Sequence, residues 1–520
     1  MTRDTPHIFA ATTAKVAIAS SLVVLGVVLL TSAAPGAADS PRIAVVRPHG
    51  ISPRSTRTAA IRVPGTGDLN VNSGDNVLLS CTSAGGCAAA GTENGASGKS
   101  QAYVANRVGG TWQSAVEIPG VVALQRAGGG SWVFTLSCAA PGDCAVGGVY
   151  ASAPHTNQPF VASEVSGTWK RAIEVPGIAA LEGAGGGAEV DSVSCGAPGD
   201  CTAVGTYQTT YSQSSWLTQA YVSDEVKGVW RKAIEIPGFA AFNTLGQATV
   251  TSVSCAAAGS CVVGGSYGGA ARIRAFVADE VAGTWQKPIQ VPGTEPFNVT
   301  GKSQVSIVSC AAAGDCVAAG YDQSSQDQGE AFVADEVNGT WQKAIAVPGT
   351  QALNVDGDGG AIALSCPAVG SCTVGGNVVD GSEIYHPFVD DEVGGVWRTA
   401  IEVPGVAEDI PEAMDSVDSL SCAAPGDCVA GGTYDSGNYQ TPYYDTAYSA
   451  TSSPALTQAF VSDEVNGVWH RATEIPGLAV LDVGPMAVLS AVSCGAVGAC
   501  VAGGSYEDAA HHYRAFVDTL

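Results

Sequence analysis

All sixteen cysteines of this 520-residue chain fall into eight pairs with five residues between partners. They are Cys81/Cys87, Cys138/Cys144, Cys195/Cys201, Cys255/Cys261, Cys310/Cys316, Cys366/Cys372, Cys422/Cys428 and Cys494/Cys500. Around each pair the same pattern recurs. The run Val253–Tyr267 holds the cysteines and a Gly-Gly, and Ala275–Gly293 follows with Asp-Glu, Gly-Thr-Trp and a closing Val-Pro-Gly. The Pro-Gly endings lie at Gly65, Gly120, Gly177, Gly238, Gly293, Gly349, Gly405 and Gly477, so most units run 55–57 residues and the last full one runs 72. A fixed period of this size is the signature of a repeat architecture.

Each unit reads as four strands. The first ends in Ser-Cys, and a Gly turn leads to the second, Cys-Val-x-Gly-Gly-x-Tyr. A variable polar stretch precedes the third, Ala-Phe-Val-x-Asp-Glu-Val, and an x-Gly turn reverses it into the fourth, Trp-x-x-Ala-Ile-Glu-Val-Pro-Gly. Alternation within the runs and turn residues between them predict half-buried strands. A unit this short cannot be a whole sandwich domain, but four antiparallel strands make a propeller blade. After Gly477 only three strands remain, while a lone fourth strand, Thr58–Gly65, precedes the first cysteine pair. The expected fold is therefore all-β: an eight-bladed β-propeller over residues 58–520, closed by an N-terminal strand that completes the last blade. A solenoid would need polar caps instead.

Residues 1–38 read as an export signal. Arg3 and Lys15 precede an apolar run, Val16 to Leu30, and Gly36-Ala37-Ala38 is a small-residue cleavage site. The same stretch is also long enough for an uncleaved anchor helix. Residues 39–57 read as a linker. Either way the repeats are exported, so the sixteen cysteines are expected as eight disulfides within hairpins, not as metal ligands or redox centres. Each closes a seven-residue loop, worth roughly 2.4 kcal/mol in the chain-entropy model. Being local, the bridges are expected to stiffen hairpins and to tie no blade to another. A formal charge of −25 argues against nucleic acid or anionic lipid as partners. A secreted monomer, free of the membrane once the signal is cleaved, is expected.

The third-to-fourth turn, as in Asp335-Glu-Val-Asn-Gly-Thr-Trp341, resembles the Asp-box of sialidase-like propellers, Ser-x-Asp-x-Gly-x-Thr-Trp. The match is imperfect, since Glu336 stands at the Asp position and the glycine is one residue nearer the Trp. The chain is thus similar to secreted β-propellers in architecture, and fold alone says little about activity.

The recurring Trp112, Trp169, Trp230, Trp285, Trp341, Trp397 and Trp469 are expected to pack between blades, because their place in the strand is fixed. The twin glycines are expected to permit close approach of neighbouring blades. Asp-Glu pairs such as Asp279/Glu280 read as solvated turn residues; they and Asp356-Gly-Asp358 are also the calcium candidates. Otherwise no cofactor is expected. The histidines beyond the signal (His49, His155, His386, His470, His511, His512) lack metal spacing, and no nucleophile motif occurs. The loop arginines Arg126, Arg272 and Arg274 are too few for a sialidase-like cluster.

One face should carry the disulfide turns and the Gly-Thr-Trp turns, with nearly constant lengths. The other should carry the variable loops, where function tends to reside. Two of those loops are aromatic-rich: 208–218 with Tyr211 and Trp216, and 435–457 with Tyr439, Tyr443, Tyr444 and Tyr448. Such residues suit contact with a sugar or protein. The expected function is a non-enzymatic extracellular binding module for a glycan or protein ligand. The alternative is a secreted glycan-active hydrolase or lyase on the same scaffold.

Overall fold

The structure is a computed structural model that describes residues 59–520 except 67–76, 95–98, 126–128, 154–155, 213–214, 270–271, 295–301, 324–328, 355–358, 383, 407–414, 436–456 and 483–485. The expected signal and linker segments, 1–38 and 39–57, therefore lie outside the described residues. Eight antiparallel sheets follow one another along the chain, one per cysteine pair. In blade four, for example, Thr249–Ala257, Ser260–Gly269 and Arg272–Val281 run from inside outward. Ile61–Arg62 pairs with Tyr513–Thr519, Ile61 opposite Val517, and so supplies the outer strand of blade eight. The expected fold and its closure are both present.

The outer strand differs from the single run expected. It is two short pieces, such as Thr284–Trp285 opposite Glu280 and Val281, then Ile289–Gln290 opposite Phe276 and Val277. The extra residue between them is a bulge, and a bulge re-aims backbone groups. Here it turns one N–H toward the preceding blade: Ala344 donates to Pro292 O at 2.7 Å, and Ala60 to Pro476 O at 2.8 Å. Seven seams have this bond among the described residues. In the seam between blades three and four the donor position is Pro288, which has no N–H to give.

A second belt runs around the inside. The serine before each cysteine accepts the N–H of the next blade's cysteine, as in Cys310 N to Ser254 Oγ at 3.0 Å. All eight seams have this bond, with distances of 2.8–3.0 Å. Ring closure therefore does not rest on the N-terminal strand alone.

All eight disulfides join the expected partners within a blade: Cys81–Cys87, Cys138–Cys144, Cys195–Cys201, Cys255–Cys261, Cys310–Cys316, Cys366–Cys372, Cys422–Cys428 and Cys494–Cys500. Their setting differs from that of simple hairpin staples. The first cysteine of each pair is half-buried, whereas the second is buried: Cys87, Cys144, Cys201, Cys261, Cys316, Cys372, Cys428 and Cys500. The second cysteine opens the second strand, which is covered by a neighbouring blade on either side. Cys87 thus packs with Val501 and Ala515 of blade eight, Cys201 with Ala145 and Val161 of blade two, and Cys316 with Val262 and Ala275 of blade four. Cys500 packs in the same way with Val429 and Ala459 of blade seven. The bridges join no two blades covalently, yet their buried sulfurs are part of the apolar filling between blades. The bridges are thus local, as expected, and their burial between blades is what spacing along the chain did not show.

The core lies between blades. Each third strand buries one aromatic ring (Tyr103, Phe160, Tyr221, Phe276, Phe332, Phe388, Phe460 or Phe516) among valines of two neighbouring blades. The twin glycines have separate duties. A Cβ on Gly264 would meet Val305 of the next blade at 2.6 Å, whereas one on Gly265 would meet Thr249 O of its own inner strand at 2.0 Å. Only the first serves blade-to-blade approach; the second accommodates a bulge in the inner strand between Val250 and Ser252.

Candidate functional site

The two faces separate as expected. On one, the first-to-second turn of blades one to seven touches the third-to-fourth turn of the same blade, as in Gly339 N to Gly314 O at 2.8 Å. That third-to-fourth turn is a two-residue reversal with both residues at positive φ, for instance Asn338 at 49° and Gly339 at 75°. This is the I′ hairpin geometry, which matches strand twist and favours Asn-Gly.

The opposite face carries the aromatic candidates. Tyr211 and Trp216 do not sit in a loop. The strands Asp200–Ser212 and Ser215–Val226 form an extended hairpin in which these two residues are direct cross-strand partners. Their rings meet edge to face at 5.5 Å, and Tyr211 is 60% exposed. Register explains the pairing: both residues lie near the hairpin end, so one face of the ribbon presents both. Tyr439, Tyr443, Tyr444 and Tyr448 lie outside the described residues.

The hairpin is braced from both sides. On one, Gly183 N donates to Gln208 O at 2.9 Å and Gly187 N to Gln208 Oε1 at 3.0 Å. On the other, Thr218 N donates to Gly246 O at 2.8 Å, and Ala248 N donates to Thr218 Oγ1 at 2.9 Å. Asn243, 2% exposed, ties the Thr218 side of the hairpin to the connector that follows it and to blade four. Its Nδ2 donates to Thr218 O, and its Oδ1 accepts the N–H groups of Gln247 and Gly268. Sequence reasoning missed Asn243, whose only signal is a lone Asn after a Phe-rich helical turn, Phe239–Phe242.

The Trp residues stand in the seams, as expected, but with a partner the sequence did not reveal. Trp341 Nε1 donates to Asp279 Oδ1 of the preceding blade at 3.0 Å, and Trp397 to Asp335 at 3.1 Å. Trp469 and Trp285 bond Asp391 and Asp224 in the same way, while Trp230 uses Ser163 and Trp169 uses Asn106. This corrects the reading of the Asp-Glu pairs as solvated turn residues. Asp224, Asp279, Asp335 and Asp391 accept indole N–H groups, and Glu225, Glu280, Glu336, Glu392 and Glu464 are buried in the seams. Among the described residues no three His, Cys, Asp or Glu side chains converge on a metal position. Asp356 and Asp358 lie outside them.

The acid–base groups of the variable face gather in blade eight. His511 Nδ1 lies 2.7 Å from Glu507 Oε1, and Arg514 Nε donates to Asp508 at 2.8 Å. His386 pairs with Asp380 at 3.3 Å. Arg272 and Arg274 share one strand, and Arg274 donates to Gln290; Arg126 and His155 lie outside the described residues. A cleft of about 570 Å³ opens on the constant-turn face between blades six and seven, lined by Asp391, Arg398 and Glu464. The disulfides Cys366–Cys372 and Cys422–Cys428 each send their second cysteine to its wall. Cys87, Cys144, Cys201, Cys261, Cys316 and Cys500 are buried in the seams and offer no surface to a ligand, so their role is structural.

No helix among the described residues is long and apolar enough to cross a membrane. No family model and no curated protein matches the chain. Among solved structures it is similar to Sqt1 of Chaetomium thermophilum, at 11% identity over 72% of this chain and 80% of that one, with a TM-score of 0.39. It is also similar to the Hadza microbial sialidase Hz136 (12% identity, 66% and 68% covered, TM-score 0.34). A third likeness is to the fucose-specific lectin of Aleuria aurantia (12% identity, 64% and 97% covered, TM-score 0.31).

Proposed function

We propose that this protein is an extracellular binding module whose variable face takes a glycan or protein ligand. The observation that carries the reading is the Tyr211/Trp216 pair, held at the end of a hairpin braced on both flanks. Aromatic faces stack on sugar rings and fill protein pockets at low entropic cost, provided the platform is rigid. Eight disulfides fit an oxidising compartment, which supports an exported site of action. The segment 436–456 lies outside the described residues; by its place in the sequence, between the second and third strands of its repeat, its four tyrosines are proposed for the same ligand.

The test is a screen of glycans and cell-surface proteins against the chain lacking residues 1–38, followed by variants. Tyr211→Ala and Trp216→Ala should each weaken any binding found by at least about tenfold, the loss of one stacking contact. Replacing residues 437–453 with a short Gly-Ser turn should weaken it too, with melting nearly unchanged. Binding that survives all three changes would remove this site. Turnover of a glycan that depends on Glu507 or His511 would favour the hydrolase alternative.

A further inference from the structure

Eight blades carry one seam design, but the polar groups inside the seams are not the same all the way round. At the position after the indole acceptor, the third strands of blades two to seven bury a glutamate: Glu164, Glu225, Glu280, Glu336, Glu392 and Glu464. Each faces the acceptor position of the preceding blade. In the first two of these seams that position is neutral. Asn106 Nδ2 donates to Glu164 Oε1, and Ser163 Oγ donates to Glu225 Oε1 at 2.7 Å. Burial raises both carboxyls, and the Asn106 and Ser163 donors oppose that rise by favouring the charged form.

In the next four seams the neighbour is itself a carboxylate. Glu280, Glu336, Glu392 and Glu464 stand opposite Trp285, Trp341, Trp397 and Trp469 in the strand register, and the indoles of those residues bond Asp224, Asp279, Asp335 and Asp391 of the preceding blade. The aspartates are already engaged by the Trp indoles, and a second oxygen of Glu280, Glu336 and Glu464 is buried with no hydrogen-bond partner. Arg398 lines the cleft that Asp391, Glu392 and Glu464 also line. Two ionised carboxylates facing each other at a buried seam repel, and one proton between them removes the repulsion.

We propose that the four seams from blade three to blade seven form a proton-operated latch, in which each Asp/Glu pair holds one shared proton when the blades are closed. This arc of the ring then tightens as the medium becomes acidic and loosens above neutrality. The remaining seams, which have no such Asp/Glu pair, act as a fixed frame. Burial first, and the facing aspartate second, push Glu280, Glu336, Glu392 and Glu464 up to about 7. A folded-state value raised above the unfolded one near 4.3 gives stability that is full below about pH 4 and lost as pH rises through about 7.

The experiment is thermal melting of the chain lacking residues 1–38 between pH 5 and 8.5, followed by tryptophan fluorescence at low and high salt. The wild type should lose several degrees of melting temperature across that range, and the loss should persist at high salt, because buried pairs are weakly screened. The quadruple variant Glu280→Gln, Glu336→Gln, Glu392→Gln, Glu464→Gln should be flat and should match the wild type at pH 5. Asp279→Asn, which copies the neutral acceptor of the first seam, should remove about a quarter of the effect, as should Glu280→Gln alone; these single variants carry the test if the quadruple fails to fold. A flat wild-type profile, or a loss that high salt abolishes, overturns the latch. So does a quadruple variant that still falls like the wild type, which would assign the effect to Asp322, Asp390 and Asp415, also raised to about 7 by burial.

Discussion

The backbone N–H of Cys81 donates to Ser493 Oγ at 2.8 Å, joining the first blade to the last across 412 residues. It is the same bond that links every other neighbouring pair of blades, but here its partners lie near opposite ends of the chain. Ser493→Ala leaves the Cys81 N–H without that acceptor in a half-buried place. A loss of about 1–2 kcal/mol is expected, the cost of an unsatisfied buried donor. Chemical denaturation of the variant against Ser493→Thr, which keeps a hydroxyl, measures it. Equal midpoints for the Ala variant and the wild type would show that the inner belt contributes nothing to closure.

Removing residues 39–65 deletes the strand Ile61–Arg62 and two outer-belt bonds, Ala60 N to Pro476 O and Ala115 N to Pro64 O. Tyr513–Thr519 then becomes a bare sheet edge, which invites edge-to-edge association. The inner belt still joins blades eight and one, so the truncated protein should fold but aggregate. Light scattering during a thermal ramp reads this out. A truncation that melts and elutes like the chain lacking only residues 1–38 contradicts closure by that strand.

Gly265→Ala should be severe and Gly283→Ala milder. The first places a Cβ 2.0 Å from a backbone oxygen that cannot move without opening the blade. A cost of at least about 3 kcal/mol is expected, beyond the usual range for a point change. Gly283 has open space around it and a φ of 75°, so only the left-handed conformation is penalised, by about 1 kcal/mol. Urea midpoints of the two variants should rank in that order; the reverse order would mean that the inner-strand bulge yields.

Trp341→Phe keeps an aromatic ring in the seam but removes the donor to Asp279. A cost of about 1–3 kcal/mol is expected at pH 8, because the hydrogen bond is to a charged group. At pH 5 the penalty should shrink, since a proton then supplies the seam with a donor. Melting curves of the two proteins at both pH values give the comparison. A penalty that grows on acidification contradicts the assigned role of Asp279.

Replacing Cys255 and Cys261 together by Ala should cost at least roughly 2 kcal/mol, the value for a seven-residue loop. The effect should stay within blade four and its seam with blade three, where Cys261 packs among Val204, Ala220 and Val222. Hydrogen exchange slowed or quickened in blade eight by this change would contradict the locality of the disulfides.

The sequence by itself determined the number of blades, the four strands in each, the disulfide partners and the closing strand. All of these follow from spacing along the chain: a pair of cysteines five residues apart fixes a hairpin, and a missing strand at one end matched by a spare one at the other fixes a ring. Tertiary structure decided what the repeated residues touch. Ser254 and Cys310, or Asp279 and Trp341, lie some 60 residues apart and meet only once neighbouring blades stack. Spacing likewise paired Cys310 with Cys316, but only stacking buried Cys316 against the preceding blade. No local pattern distinguishes an aspartate facing water from one facing the next blade. The same holds for the face of candidate contact: aromatic content marked Tyr211 and Trp216, but cross-strand register paired them and Asn243 braced their hairpin. Local bonding is written in spacing, whereas the environment of a buried charge depends on what the fold brings beside it.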